Sequence, residues 1–419
     1  MRAESTAAES AEEVGSGLQD ILEADEPRPL ARWRLQQGPA FWRDSNLQVK
    51  LRSYDFERDD GSDTLSEAFT LGGELSFRSG KWNEILSVDA TWYTSQGIEA
   101  PAGRDGTGLL GPGQTDISVL GQASVRLNFE QILLRVYRQD LNLPYLNRHD
   151  IRMLPNTHEG VVVARAGDVG QIGFAAGHIT KMKTRTSEDF VPMAEVAGVP
   201  GGDSGTTLLG ARYNVSADLD IGAIAFHTSD LFDTVYAEAN WRRTLPRDWG
   251  LQVSAQFTDQ KSIGRELLGS FSTSTWGARA VVSYRNAVLT LARTETDEGA
   301  AIRSPFGGKP SYNSLMILDF DRAGERAQRF GLSYNFRRLG LPSLSLQFNV
   351  ARGEGALDAA TGLRLPDDAE KDLTLDYRPA AGVLEGLWVR LRVAEADRMS
   401  ASADRNDVRL IVNYELPVF

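Results

Sequence analysis

The stretch Asn406-Asp-Val-Arg-Leu-Ile-Val-Asn-Tyr414 places Val408, Leu410, Val412 and Tyr414 at every second position, with Asp407, Arg409, Ile411 and Asn413 between them. A strand sends successive side chains to opposite faces, so this segment is a strand with one apolar and one mostly polar face. The segment before it repeats the pattern: Leu387, Val389, Leu391 and Val393 alternate with Trp388, Arg390, Arg392 and Ala394. Near the other end, Leu47, Val49 and Leu51 alternate with Gln48, Lys50 and Arg52. The same period predicts strands near 46–56, 68–78, 84–94, 117–128, 131–139, 159–167, 170–180, 206–215, 219–228, 233–242, 250–259, 274–285, 288–295, 327–337, 342–352, 371–378, 386–396 and 405–418. That is 18 strands, an even number of segments about ten residues long, as a closed antiparallel barrel crossing a bilayer requires.

Composition allows such a barrel. The 419 residues carry 45 Lys and Arg against 57 Asp and Glu, a net charge of −12, which argues against a nucleic-acid partner. There is no Cys, which excludes disulfides, thiol catalysis and Cys-ligated zinc and fits an oxidising compartment. No run reaches the length of a transmembrane helix, and the mean hydropathy is −0.31. A barrel averages out to such a value because lumen-facing and lipid-facing residues alternate. Met1-Arg2-Ala3-Glu4-Ser5 lacks the basic-then-apolar signal pattern and reads as the start of a processed or recombinant chain. The expected organisation is an N-terminal extension over 1–45, including Arg2 to Arg34, and a single all-β transmembrane barrel over 46–419.

A soluble β-sandwich also alternates, but its apolar residues face inward, and this many strands would need two or more domains. No linker follows residue 45. Trp82, Trp92, Tyr93, Tyr213, Trp241, Trp249, Trp276, Tyr284, Tyr334, Phe336, Tyr377 and Trp388 cluster at strand ends, as interfacial belts would. Short turns such as 165–170 and 337–342 alternate with long Gly- and Pro-rich loops, giving one tight rim and one looped rim.

With the apolar faces on lipid, Lys50, Arg52, Arg126, Arg135, Arg390, Arg392 and Arg409 point into the lumen. Closure brings the first strand beside the last, so Arg52, Arg390, Arg392 and Arg409 form one basic stripe. Guanidiniums stay charged and bind carboxylates bidentately, so a row of them offers a moving anion successive sites. The plainer alternative is pairing with luminal carboxylates such as Glu74, Asp89, Glu238 or Asp376, which would only stiffen the wall. Two loops, 138–160 with Arg148 and Arg152, and 303–326 with Tyr312, Asp319 and Arg322, are too long for connections. Leu315 to Leu318 is a poor loop tip in water, which predicts that the second loop folds inward and narrows the lumen.

The runs Asn147-Arg-His-Asp-Ile-Arg-Met-Leu-Pro-Asn-Thr-His-Glu-Gly160 and Gly308-Lys-Pro-Ser-Tyr-Asn-Ser-Leu-Met-Ile-Leu-Asp-Phe-Asp-Arg-Ala-Gly-Glu325 closely resemble the constriction loops of the OprD-type outer-membrane porins, the carboxylate channels of Gram-negative bacteria. The resemblance spans about Asn46 to Phe419. It implies an 18-stranded barrel with an eyelet formed by inward loops. On one side stands an arginine ladder of Arg52, Arg126, Arg135, Arg390, Arg392 and Arg409; on the other, an acidic, carbonyl-rich pocket with Asp319, Ser311 and Tyr312. It further implies passive uptake of small anionic solutes, contact with outer-membrane lipid and lipopolysaccharide, assembly through Phe419 as the terminal aromatic, and a monomer or loose trimer. The first loop is more like the branch that admits aromatic and other monocarboxylates.

Other readings are weaker. A non-selective porin would share the fold. His227-Thr-Ser229 at a strand end resembles the His-x-Ser of an outer-membrane phospholipase, without an Asn-bearing segment to orient the His. His149, His158 and Asp150 read as solvated loop residues rather than metal ligands, and Gly106 to Gly111 lacks the strand-to-helix setting of a phosphate loop. The expectation is no cofactor, no metal, no nucleic acid and no catalysis.

Overall fold

The computed structural model describes residues 38–61, 65–398 and 404–418. The Arg2 to Arg34 extension and Phe419 lie outside them. In chain order the long strands are β1 Asn46–Asp59, β2 Leu65–Arg78, β3 Leu86–Glu99, β4 Ile117–Phe129, β5 Ile132–Gln139, β6 Thr157–Arg165, β7 Ile172–Lys183, β8 Thr206–Ser216 and β9 Leu219–Thr228. They continue as β10 Phe232–Leu245, β11 Trp249–Ser262, β12 Ser272–Tyr284, β13 Ala287–Thr296, β14 Arg326–Asn335, β15 Leu344–Glu354, β16 Asp368–Tyr377, β17 Leu387–Arg398 and β18 Arg405–Pro417. Each pairs antiparallel with its sequence neighbour, and β1 closes on β18 from Gln48↔Pro417 to Asp59↔Asn406. Closure satisfies the backbone groups that an open edge would leave in lipid. The result is an 18-stranded barrel.

Orientation follows the alternation. Leu391, Val393, Val408 and Leu410 are 40–44% exposed on the outer wall, whereas Arg409 between them is 1% exposed. The stacked pair Trp249–Tyr284 lies near the tight rim, and the cross-strand pair Phe257↔Trp276 lies eight residues further along β11 and β12. At a rise of about 3.3 Å per residue these are roughly 26 Å apart along the strand, close to the height of a lipid-facing band once strand tilt is allowed for. Two of the expected belt residues belong inside instead. Tyr93 is buried, with its hydroxyl accepting from Gln122 Nε2 (2.6 Å), and Trp388 donates Nε1–H to Asp376 (2.7 Å). Each has the inward parity of its strand, and its polar atom finds a partner there.

The start of β1, the end of β18 and the tight turns share one rim, and the long loops share the other. Four-residue helical turns at Ala40–Arg43 and Met193–Val196 are the α-helices among the described residues. The apolar clusters of the barrel are therefore luminal. In the largest, Leu141, Leu143, Tyr145 and Leu146 from the loop after β5 pack with Phe226, Phe232, Ile302 and Phe306.

Candidate functional site

Two chain segments leave the looped rim and enter the barrel. The first, after β5, turns at Tyr145 and pairs Asn142 with Asn147 in a short hairpin. The second, between β13 and β14, buries Phe306, Met316, Leu318 and Phe320, so its apolar tip lies inside the barrel, as its composition predicts. Three consecutive amides, of Met316, Ile317 and Leu318, donate to the Glu370 carboxylate at 2.8, 3.0 and 2.7 Å. The loops meet at Asn147: its Oδ1 accepts from Gly308 N and its Nδ2 donates to Gly308 O, both at 2.8 Å. A Cβ at Gly307 would lie 2.5 Å from Asn147 Oδ1, so this approach requires glycine.

Between these loops and the wall lies a cavity of about 760 Å³. Twelve Arg and Lys line it against five Asp and Glu, although the whole chain carries −12. The excess of negative charge thus lies outside this lining, and the side chains that line the cavity are net positive.

Lys50, Arg52, Arg126, Arg135, Arg148, Arg152, Arg390, Arg392, Ser311, Tyr312 and Asp319 all line this cavity. Arg409 does not: it is sealed behind the second loop, donating to Asp407 (2.5 Å) and to Met316 O (3.0 Å) over the Phe56 ring, and so anchors the loop. Arg52 donates to both Asp150 oxygens (2.6 and 3.2 Å) and to Asn413. Arg135 and Arg148 flank Asp140, Arg126 shares Asp89 with Arg78, and Arg390 forks onto Asp376 (2.7 and 3.1 Å). The pairing with Asp89 and Asp376 entertained from sequence is therefore present. Lys50 and Arg392 differ. Among the described residues neither has an ion pair, and Arg392 donates only to Thr374 Oγ1 (3.2 Å).

Burial alone would raise the carboxyls of Asp140 and Asp150, but the guanidiniums of Arg135 and Arg148, and of Arg52 and Arg148, hold them below the usual carboxylate range. His149 and His158 differ in exposure, His149 being half-buried on the cavity wall. His158 is fully buried at the start of β6, and His149 Nδ1 accepts from Arg185 (3.2 Å). Burial, with Arg185 and Arg152 nearby, pushes the His149 imidazole down to about 3. Its folded value lies below the unfolded one, so any loss of loop stability from its protonation comes as pH falls below about 6.5 towards 3. Anion conductance is accordingly expected to be flat between pH 7 and 5.5 for wild type and His149→Gln alike; a His149-dependent step in that window would contradict the neutral imidazole.

On the far side of the cavity one lysine reduces the charge of the acidic pocket that the resemblance implies to that of a single carboxylate. Lys309 Nζ lies 3.3 Å from Asp319 and 2.5 Å from Asp321, cancelling much of their charge. The sequence reading also passed over Arg279 on β12 and Arg329 on β14, which line the cavity. Their signal was available: each precedes or follows an outward residue, Ala278 and Phe330, by one position. His227 does acquire an orienting group, since its Nδ1 meets Asp233 at 2.7 Å while Nε2 meets Ser229 Oγ at 3.3 Å. These groups sit on the open outer rim, with His227 and Asp233 about half exposed and away from the cavity, where no water-excluded cleft surrounds them.

The chain is 23% identical over 419 aligned positions to Porin D of Pseudomonas aeruginosa, covering 91% of this chain and 93% of that one. Its fold superposes on the crystal structure of Pseudomonas aeruginosa OccK9 (OpdG) with a TM-score of 0.83 at 24% identity, covering 91% of this chain and all of the other. It superposes on Pseudomonas aeruginosa OpdK, solved with vanillate, with a TM-score of 0.80 at 23% identity over 89% of this chain and 99% of that one. The family profile that matches residues 39–418 is that of the outer membrane porins of the OprD family, and it covers the whole barrel with both inward loops; the chain belongs to that family and is a porin of the Gram-negative outer membrane.

Proposed function

We propose that this porin passes small carboxylate-bearing solutes, aromatic monocarboxylates among them, passively down their gradients. Lys50, Arg52, Arg126, Arg135, Arg148, Arg152, Arg390 and Arg392 form its basic wall, and Ser311, Tyr312 and Asp319 lie on the loop side. The observation that carries this reading is the lining of twelve cationic against five anionic side chains in a chain of net charge −12. A low-dielectric passage of one sign concentrates the opposite ion, and an anion can exchange between neighbouring guanidiniums without being trapped. The OpdK structure with vanillate, a small aromatic carboxylate, supports the solute class by likeness.

Not every arginine contributes equally. Arg390 and Arg126 have carboxylate partners, so removing Arg390 would leave Asp376 without its cation, and removing Arg126 would leave Asp89 to Arg78 alone. Among the described residues Lys50 and Arg392 are free of ion pairs, and they give the cleaner test. In proteoliposomes, Lys50→Gln with Arg392→Gln is expected to lower benzoate flux about 3- to 10-fold while neutral sugar flux stays near wild type. A non-selective porin would show equal permeability to benzoate and to a sugar of similar size, with no response to these substitutions.

A further inference from the structure

We propose that Arg279 and Arg329, with Tyr312 between them, form a second carboxylate post, and that this extends the solutes passed to those bearing two carboxylates. The proposal rests on the carboxylate reading above and adds a site to it. Arg279 pairs in register with Ala292, and Ala292 with Arg329, so the two arginines stand at one level of the inner wall with only a methyl group between them. Next-nearest strands are about 10 Å apart, which leaves a gap of carboxylate size between two long guanidinium side chains.

The two cations are held differently. Arg329 donates Nε and Nη2 to Asn349 Oδ1 (3.1 and 2.7 Å) and Nη1 to Tyr312 O (3.2 Å), all neutral acceptors. Arg279 is 9% exposed and has neither a hydrogen bond nor an ion pair among the described residues; its guanidinium lies 4.7 Å over the Tyr312 ring, and its Nε is buried without an acceptor. The acids that face this pair from neighbouring strands form no ion pair with it among the described residues. Glu238 on β10 takes Arg212 and the Tyr236 hydroxyl (2.9 Å), and Asp372 on β16 accepts from Asn349 Nδ2 (2.8 Å). A buried guanidinium without an anion is costly, and one that lines a passage offers its free N–H groups to a passing carboxylate.

Arg329 is in register with Ala351, Glu370 and Ala396, so Arg392 on β17 stands three strand spacings across the wall from Arg329 and four residues along it, roughly 19 Å between the two backbones. Long side chains on both sides bring that within reach of a rigid aromatic dicarboxylate with one guanidinium at each end. A monocarboxylate engages one post at a time, whereas the dicarboxylate engages both.

The test compares uptake of terephthalate and benzoate by proteoliposomes containing the full chain or its Arg279→Gln, Arg329→Gln double variant. The expected result is that wild type passes both acids and that the double variant lowers the terephthalate-to-benzoate flux ratio about tenfold, the loss of one charge-assisted contact. If the double variant does not assemble, Arg279→Gln alone, which breaks no hydrogen bond, must lower the ratio in the same direction. A ratio unchanged in the assembled variant overturns the post, as does a wild type that passes benzoate but excludes terephthalate. A wild type that passes neither acid overturns the carboxylate reading itself, and the post with it.

Discussion

Glu370→Ala is expected to open the channel: single-channel conductance rises, and the preference for benzoate over a neutral sugar collapses, while the barrel still assembles. Glu370 is 1% exposed and its carboxylate is the acceptor for three successive amides of the second inward loop. Hydrogen bonds to a charged group are each worth about 1.5–3 kcal/mol, so with three of them the loop tip loses on the order of 4–9 kcal/mol of anchoring. The tip keeps the apolar packing of Leu318 and Phe320 with Ala327, Ala351 and Ala396 and the Arg409 bond to Met316 O, while Asn313, Tyr312 and Gly308 keep their own bonds further back along the loop. The strand ladder does not depend on Glu370, so the loss falls on the loop alone. Glu370→Gln should lie between wild type and alanine, because an amide oxygen can keep two of the bonds while its NH2 faces the third donor. Planar-bilayer recording with reversal potentials measures both quantities. An assembled Glu370→Ala channel with wild-type conductance and selectivity would show that the carboxylate does not hold the eyelet.

The second large effect is expected at Asn147. Its side chain accepts one bond and donates two, to Gly308 and to Leu143 O, and Asn147 is 2% exposed. Alanine would strand the Gly308 amide and two carbonyls, a cost of about 2–5 kcal/mol at the junction of the loops. One backbone bond between the loops, from Asn147 N to Phe306 O at 3.2 Å, survives the substitution. The expected readout is noisy, substate-rich current as the loops part and rejoin, with reduced carboxylate preference. Asn147→Asp should be worse than alanine, since a carboxylate would face the carbonyls of Leu143 and Gly308 without a proton to donate. Steady wild-type current from either variant would place the junction elsewhere.

The alternation of Val408, Leu410 and Val412 with Arg409 was enough to assign a strand, a membrane-facing side and an inward arginine, and repeating the test gave all 18 long strands. A period of two survives any tertiary context because one face must meet lipid and the other water. The loop motif was legible for a related reason: an apolar run, Leu315 to Leu318, between polar neighbours has to be buried somewhere. Its inward fold follows.

Partnership was harder to read. Arg409 and Arg392 have the same inward parity, yet one is sealed under a loop and the other faces the cavity. That difference depends on where the second loop lands, which joins Met316 to Arg409 across 93 residues of chain. Lys309 was visible as a residue, but its cancelling of Asp319 and Asp321 needed the loop's own path. Likewise the Asp233 that orients His227 comes from across a hairpin.

By itself the sequence determined the barrel, its strand number, the direction each strand side chain faces and the presence of two inward loops, because these depend on local periodicity and on the two solvents the wall must satisfy. The tertiary structure alone decided which cations are neutralised, which are buried as anchors and which remain free to bind an anion. Charge pairing acts over a few ångströms between groups that may be hundreds of residues apart, and only closure of the barrel with its loops folded inside brings them within that range.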